Sequence, residues 1–455
     1  MIFFEFVFIL TISLFFLLVV KKYSAISIFH PVTMVGLWMI FFICGDAFYI
    51  RYSGYYGPSN FEQYPIHSLQ VSYALLIWFI AFLLFILGVE LSRLRGSRKN
   101  SALGFSRNTD HELNFIDDTP RRRVLGVVAA FSLLLAFYLI VMKIIAGGFT
   151  LAQAPHVRNF IFRESGFFLV LIQLFLIYLL VEVGSSVLMG EFSRKLIFFS
   201  TVAATAITLF FGMRSLLIYL YILPVLFFLD LTKYKLSIGR LVLFAIFGIF
   251  FIAILYRSLA RDIYFSANEG LSAFEVFYQN LINFPQFLWG GFEISSLDGT
   301  IDIISLEHGL LLGESLFNGL VAFVPRFFWE GKPLGGGNTM YTDEFYPGFY
   351  STMNAEYSLS GVGDLYWNFS VFGVVVFLIF GFVLGLVYFR TLRYVYNTNR
   401  LSLAALSMSL YAIILFRFFS FLRGDLFNFV SQLFTALIPV VLVYIILVVG
   451  FRRNV

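Results

Sequence analysis

Arg214 stands at a turn so short that two apolar stretches meet around it, Gly212-Met213-Arg214. A charge at the edge of hydrocarbon is costly unless it is solvated or paired. It therefore reads as a snorkelling anchor, as the partner of an acid on a neighbouring helix, or as a ligand for an anion. The third use suits arginine, whose planar fork takes two phosphate oxygens at once. Arg257 and Arg261 are one helical turn apart and can face one ligand, although Asp262 sits beside them. Arg417 and Arg423 flank FRFFSFLRGDLF. They can serve an anion, or either can form a surface pair with Asp425 worth under about 1 kcal/mol. In Val324-Pro325-Arg326-Phe327-Phe328-Trp329-Glu330-Gly331-Lys332-Pro333, two prolines fix the backbone around cations and aromatic rings. Such a platform fits a sugar ring carrying a phosphate, and it fits an interfacial aromatic belt equally well.

Acids come next. Glu314, Asp343, Glu344, Glu356, Asp364 and His308 are the acid/base candidates of the same region. Glu356 and Asp364 bracket Tyr357-Ser358-Leu359-Ser360-Gly361-Val362-Gly363. A carboxylate there can take a proton from a sugar hydroxyl if burial raises its pKa towards neutrality. Asp343 and Glu344 read better as solvated loop acids. Gly335-Gly336-Gly337 lacks the strand and helix of a phosphate loop and reads as a flexible loop.

These residues need elements to hold them, and composition says which kind. The 455-residue chain is 60% hydrophobic, 20% aromatic and only 13% charged. A soluble protein carries about a quarter charged residues. Apolar runs near the length that crosses a slab of roughly 30 Å point to an all-α polytopic membrane protein, not a barrel. About eleven spans are expected, with ten to fourteen the range: 2–20, 30–50, 71–91, 124–146, 167–189, 196–212, 215–230, 240–256, 368–390, 402–418 and 429–449. The first carries Glu5 before it and Lys21-Lys22 after it, the reverse of a secretory signal, so it is expected to remain as a span.

Alternating sides from an external N-terminus puts most basic residues in cytoplasmic loops, above all 92–123, and leaves the C-terminus cytoplasmic. The exceptions are Lys143, Lys332, Arg51, Arg158, Arg163 and the six arginines named above. The chain then divides into spans one to eight (1–256), one large external loop (257–367), and spans nine to eleven with a tail (368–455). Within the loop, 257–288 alternates charge and bulk like a surface-lying amphipathic helix. Residues 315–328 are too short to span and read as interfacial or re-entrant, and 332–350 reads as true loop. Gly381 and Gly385 suggest close helix packing. Cys44 is the single cysteine, so no intramolecular disulfide or cysteine metal cluster can form. The net charge of +5 reads as orientation signal and lipid contact, with no nucleic-acid partner.

The order of these features resembles the Wzy-type O-antigen and oligosaccharide repeat-unit polymerases of bacterial inner membranes. The resemblance covers about residues 200–435 and rests on five features: Gly212-Met213-Arg214, one large external loop, Pro325-Arg326-x-x-Trp329-x-x-Lys332-Pro333, Tyr357–Gly363 leading into Trp367-Asn368-Phe369 and Phe372-Gly373, and Arg423-Gly424-Asp425. It implies a GT-C-like helical glycosyltransferase facing the periplasm. Such an enzyme moves a growing glycan from undecaprenyl diphosphate onto a new lipid-linked unit. Arg214 and Arg423 match the family's outer arginines, Lys332 a basic position before the second proline, and Arg326 a more variable place.

On that basis Arg214 and Arg423 would hold the leaving diphosphate, and Glu356 or Asp364 would deprotonate the acceptor. Arg257, Arg261, Arg326, Lys332, Arg417, Trp329 and Tyr357 would bind substrate, with Tyr341 and Tyr346 also stacking on sugars. No metal-ligand spacing is present, so a metal-independent reaction without cofactor is expected. Expected partners are the lipid-linked glycan donor and acceptor, membrane lipids, and a chain-length regulator and flippase of the same pathway. Readings from other classes are a flippase or other transporter for the same lipid-linked glycan, a ligase transferring finished glycan, and a structural subunit of an assembly complex. A transporter needs polar residues in mid-span and usually repeat symmetry, whereas the polar groups here gather at one face.

Overall fold

The computed structural model describes residues 2–53, 55–56, 64–65, 69–97, 118–149, 167–189, 193–210, 214–231, 239, 273–282, 296–305, 309–324, 328–333, 335–349 and 356–449. Among these, eight helices are long and apolar enough to cross a membrane: Glu5–Ser24, Pro31–Ser53, Gln70–Arg95, Thr119–Ala146, Phe167–Leu188, Gly361–Asn397, Leu401–Arg423 and Leu426–Val448. The protein is a multi-span helical membrane protein. Large apolar side chains such as Leu18, Val127, Phe131 and Leu134 point outward from these helices, where water would disfavour them and lipid would not. Expected span 196–212 is the 17-residue helix Arg194–Phe210. Expected span 215–230 is helical over 214–231, with a π-helical stretch Ile218–Ile222. Expected span 240–256 lies outside the described residues. One two-stranded antiparallel ribbon pairs Tyr55-Tyr56 with Tyr64-Pro65.

Two compact units divide the chain. The first comprises Met1–Arg98, Ile238–Leu386 and Arg417–Gln432; the second comprises Lys99–Ser237, Val387–Phe416 and Leu433–Val455. In the first unit, helices Gln70–Ser97 and Val376–Asn397 touch through glycine. A Cβ on Gly88 would lie 2.1 Å from the Leu378 carbonyl oxygen, and one on Gly381 would lie 2.1 Å from that of Phe85. Gly385 sits as tightly against Ser92. The Gly381/Gly385 pair is thus a packing motif, as its spacing suggested. In the second unit, Thr119–Ala146 lies along Phe167–Leu188, where Arg122 bridges to Glu182 at 2.9 Å.

Two short helices in the first unit were not legible in the sequence. Ser296–Ser305 is almost wholly buried despite Asp298 and Asp302. Gly337–Phe345 occupies much of 332–350, which is therefore not the plain loop its Gly, Pro and Asn suggested. Of the expected surface helix 257–288, the described part, Ala273–Ile282, is helical and turns Phe274, Tyr278, Leu281 and Ile282 outward.

Candidate functional site

The first unit holds a buried polar network built on the ends of four helices. Ser360 caps helix Gly361–Phe369: its Oγ accepts the Gly363 amide at 3.0 Å. It sits in the left-handed region (φ 74°), which costs a non-glycine residue of order 1 kcal/mol or more. Its hydroxyl also meets Thr300 at 2.9 Å, and Trp78 Nε1 donates to Thr300 Oγ1 at 3.1 Å. Gly299 permits this approach, because a Cβ there would lie 2.8 Å from the Ser358 carbonyl oxygen.

Two aspartates close the network. Asp364 is fully buried and accepts from Ser315 Oγ, from Asn368 Nδ2 at 3.2 Å and from the Leu426 amide at 3.3 Å. Asp425 is buried as well. It accepts the Asn338 amide at 2.9 Å and the Asn428 amide at 2.9 Å, so one carboxylate serves the first turns of two helices. Aligned amides and the positive helix end suit a carboxylate there. Burial nonetheless pushes the Asp425 carboxyl up from its ordinary value, with the amide hydrogen bonds opposing.

The glycine triplet makes this geometry possible and is not the flexible loop it resembled. A Cβ on Gly336 would stand 2.6 Å from Asp425 Oδ2, and one on Gly337 would stand 2.6 Å from Asp364 Oδ1.

Glu356 and Arg423 sit at the edge of this scaffold. Glu356 is half-buried, and Thr339 Oγ1 donates to its Oε1 at 2.6 Å. Burial raises its pKa first; the Thr339 bond opposes, and the Asp425 and Asp343 charges add to the rise. Arg423 is the last residue of its helix and its side chain is exposed. Among the described residues its guanidinium has no hydrogen-bond or ion-pair partner. Its carbonyl oxygen accepts from Ser358 Oγ, two residues from Glu356, and Asn338 Oδ1 accepts the Leu359 amide at 3.0 Å. The segment carrying Glu356 and the turn carrying Arg423 are therefore tied directly through Ser358, and indirectly through Asn338, whose own amide donates to Asp425.

Other expected site residues have other places. Arg417 is buried and donates to Gln432 Oε1 at 2.9 Å, so it faces the interior while Arg423 faces out. Lys332 Nζ donates to the carbonyl oxygens of Ala322 at 2.6 Å and Val324 at 2.9 Å, which commits it to backbone. Tyr357 is buried with its ring between Tyr346 and Phe349, centroids 4.2 Å away on each side. Tyr341 and Tyr346 share that core cluster, so these three rings are not presented to a sugar. Trp329 is partly exposed, edge-on to Phe317. Asp343 and Glu344 are exposed, as expected. Arg214 opens its helix and belongs to the second unit; its side chain lies outside the described residues, as do Arg257, Arg261, Arg326 and His308. Of the six expected site arginines, Arg417 and Arg423 have described side chains, and these two face different ways.

Sequence reasoning missed three acids. Asp302 is buried and accepts from Tyr346 at 3.0 Å and from Tyr341, and burial pushes its carboxyl up to about 6. Asp46 lies buried in the span Pro31–Ser53 and accepts the Leu297 amide at 3.3 Å; Asp298 follows one residue later. A lone acid in an apolar run was the available signal for Asp46. Among the described residues no three His, Cys, Asp or Glu side chains group as metal ligands. No family model, curated protein or solved structure matches the chain.

Proposed function

We propose that this protein is a bacterial inner-membrane polysaccharide polymerase, a GT-C-like glycosyltransferase with an external N-terminus and a cytoplasmic C-terminus. It joins undecaprenyl-diphosphate-linked oligosaccharide repeat units at the periplasmic face, as in O-antigen biosynthesis. The observation that carries the reading is the pair of Glu356 and Arg423: a half-buried carboxyl with a raised pKa, and an exposed guanidinium without a hydrogen-bond or ion-pair partner among the described residues, their segments joined through Ser358. In the reaction an acceptor hydroxyl oxygen attacks C1 of the donor sugar as the bond from C1 to the diphosphate oxygen breaks. The hydroxyl proton passes to Glu356. The charge that develops on the departing diphosphate is met by Arg423, with Arg257, Arg261 and Arg326 as further cations.

Glu356 is preferred to Asp364 as the base because Asp364 is enclosed by Ser315, Asn368 and the Leu426 amide. Asp364 and Asp425 are positioning residues. Of the expected sugar-stacking rings Trp329, Tyr341, Tyr346 and Tyr357, Trp329 is the exposed one, and Lys332 and Arg417 shape the scaffold.

A strain lacking the protein tests the reading. Loss of a polymerase leaves single repeat units on the final glycolipid, whereas loss of a flippase or ligase leaves none. Persistence of long polymer in that strain removes the proposal.

A further inference from the structure

Helix Glu314–Leu320 and the turn after it have two unlike sides. The inner side is fastened to protein. The Leu311 amide donates to the Trp367 carbonyl at 3.1 Å, and the Gly313 amide donates to Asn368 Oδ1 at 2.9 Å. Ser315 is buried on Asp364, and a Cβ on Gly319 would lie 2.9 Å from the Phe427 amide nitrogen. The outer side carries Leu312, Phe317, Leu320 and Phe323, all exposed, with Phe328 and Trp329 beside them. Leu312 is 77% exposed and Phe328 76% exposed. Leu312 also holds φ at 48°, a conformation that a bulky residue seldom adopts without a reason.

The backbone of this excursion closes on itself. The Val321 amide bonds the Phe317 carbonyl at 3.0 Å, Ala322 bonds Gly319 at 3.1 Å, and Val324 bonds Val321 at 3.0 Å. The Ala322 and Val324 carbonyls, which water would serve at an ordinary surface turn, are both taken by the Lys332 ammonium. That ammonium is drawn under the turn to 5.7 Å from the Phe427 ring centroid. Internal satisfaction of this kind is what hydrocarbon demands, where each unmet polar group costs several kcal/mol. The exposed acids, Glu314 and Glu330, stand only at the two ends. The apolar face also continues an existing one. Gly313 sits against Phe369, and Phe372, Val375 and Ile379 point outward from the candidate span Gly361–Asn397.

We propose that the excursion through Leu312–Val324 dips into the bilayer, with Leu312, Phe317, Leu320 and Phe323 seated in hydrocarbon and Lys332 closing its turn from within. The seven-residue helix is about 10 Å long, enough to enter one leaflet and not to cross. This inference rests on the membrane fold and is independent of the glycosyl-transfer reading.

The test uses the full chain in phosphatidylcholine vesicles. Phe317→Cys, Leu320→Cys and, as a water reference, Glu330→Cys are made with Cys44→Ala and labelled with a fluorescent maleimide. If Cys44→Ala fails to accumulate, Cys44 is kept, since its side chain is buried, and the unsubstituted chain supplies the background. Emission is quenched with doxyl-labelled phosphatidylcholine or with aqueous iodide. The expected result is lipid quenching several-fold stronger than iodide quenching at 317 and 320, and the reverse at 330. Iodide reaching 317 and 320 as readily as 330 would put the face in water. Protection from both quenchers would mean that protein covers it. Either result overturns the proposal.

Discussion

Glu356 and Asp364 stand eight positions apart around one glycine-rich stretch, yet their surroundings assign them different work. Asp364 spends its oxygens on a serine, an asparagine and a helix amide and is sealed from solvent. Glu356 keeps partial exposure and one neutral donor. Its raised pKa fixes the sign of the expected pH dependence. A base works deprotonated, so polymer formation should fall as pH drops through a midpoint above the ordinary glutamate value of about 4.3. Glu356→Gln should lower the rate by about a hundredfold or more and remove that acid limb. A reconstituted reaction followed from acidic to neutral pH checks both; an unchanged profile in the variant would clear Glu356 of the role. Arg423→Lys keeps the charge and loses the fork. We expect a drop in polymer yield of about tenfold or more with unchanged protein levels, because the side chain is exposed and has no hydrogen-bond or ion-pair partner among the described residues. Glycan ladders beside membrane immunoblots measure this.

Asp302 offers a prediction about stability alone. Its pKa, near 6, lies above the unfolded value, so the folded state holds the proton more tightly. The contribution is fully present below about pH 4 and is lost as pH rises through 6, a swing of about 3 kcal/mol. Asp302→Asn keeps an acceptor for Tyr341 and Tyr346 and removes the charge. Thermal unfolding in detergent should show the wild type less stable at pH 8 than at pH 5, with that difference largely absent in the variant. An equal pH slope in the two proteins would mean that Asp302 does not carry it.

At the level of elements, the glycine triplet and Asp425 form one device. Gly336→Ala or Gly337→Ala would force a Cβ within 2.6 Å of a buried carboxylate oxygen, and in the first case within 2.3 Å of Phe427 Cβ. Each should cost about 3 kcal/mol or more, since the obstacles are fixed on both sides. Asp425→Ala strips two helix starts of their acceptor and should cost about 2 kcal/mol or more, whereas Asp425→Asn, a good cap itself, should cost less. Detergent thermostability of the four variants orders them. If Gly336→Ala proves as stable as wild type, the tight cradle is wrong.

The same elements show what the sequence could and could not reveal. Long spans announce themselves, because some twenty apolar residues in a row have few other uses. Ser296–Ser305 stayed hidden because its Asp, Ser and Thr look like a loop. What makes the helix buriable comes from afar: Trp78, Ser360, Tyr341 and Tyr346. Gly337–Phe345 stayed hidden behind glycines whose purpose is set by carboxylates at 364 and 425. The Arg423-Gly424-Asp425 turn was recognisable as special, but its division of labour was not. The alternative of an Arg423–Asp425 surface pair fails because Asp425 turns inward to the amides and leaves the arginine to solvent.

For the whole molecule, helical spans carry a polar network whose helix ends hold one carboxyl and one guanidinium ready at its margin. The family resemblance supplied the substrate and the reaction class. The network supplies a reason why Glu356 and Arg423 keep a fixed relation to each other. The claim that this machinery makes glycosidic bonds is tested most directly with purified protein in vesicles supplied with undecaprenyl-diphosphate-linked repeat units. The account predicts lipid-linked products that grow by one repeat at a time, with one free undecaprenyl diphosphate released per bond. Movement of intact lipid-linked units across the bilayer with no bond formed would contradict it.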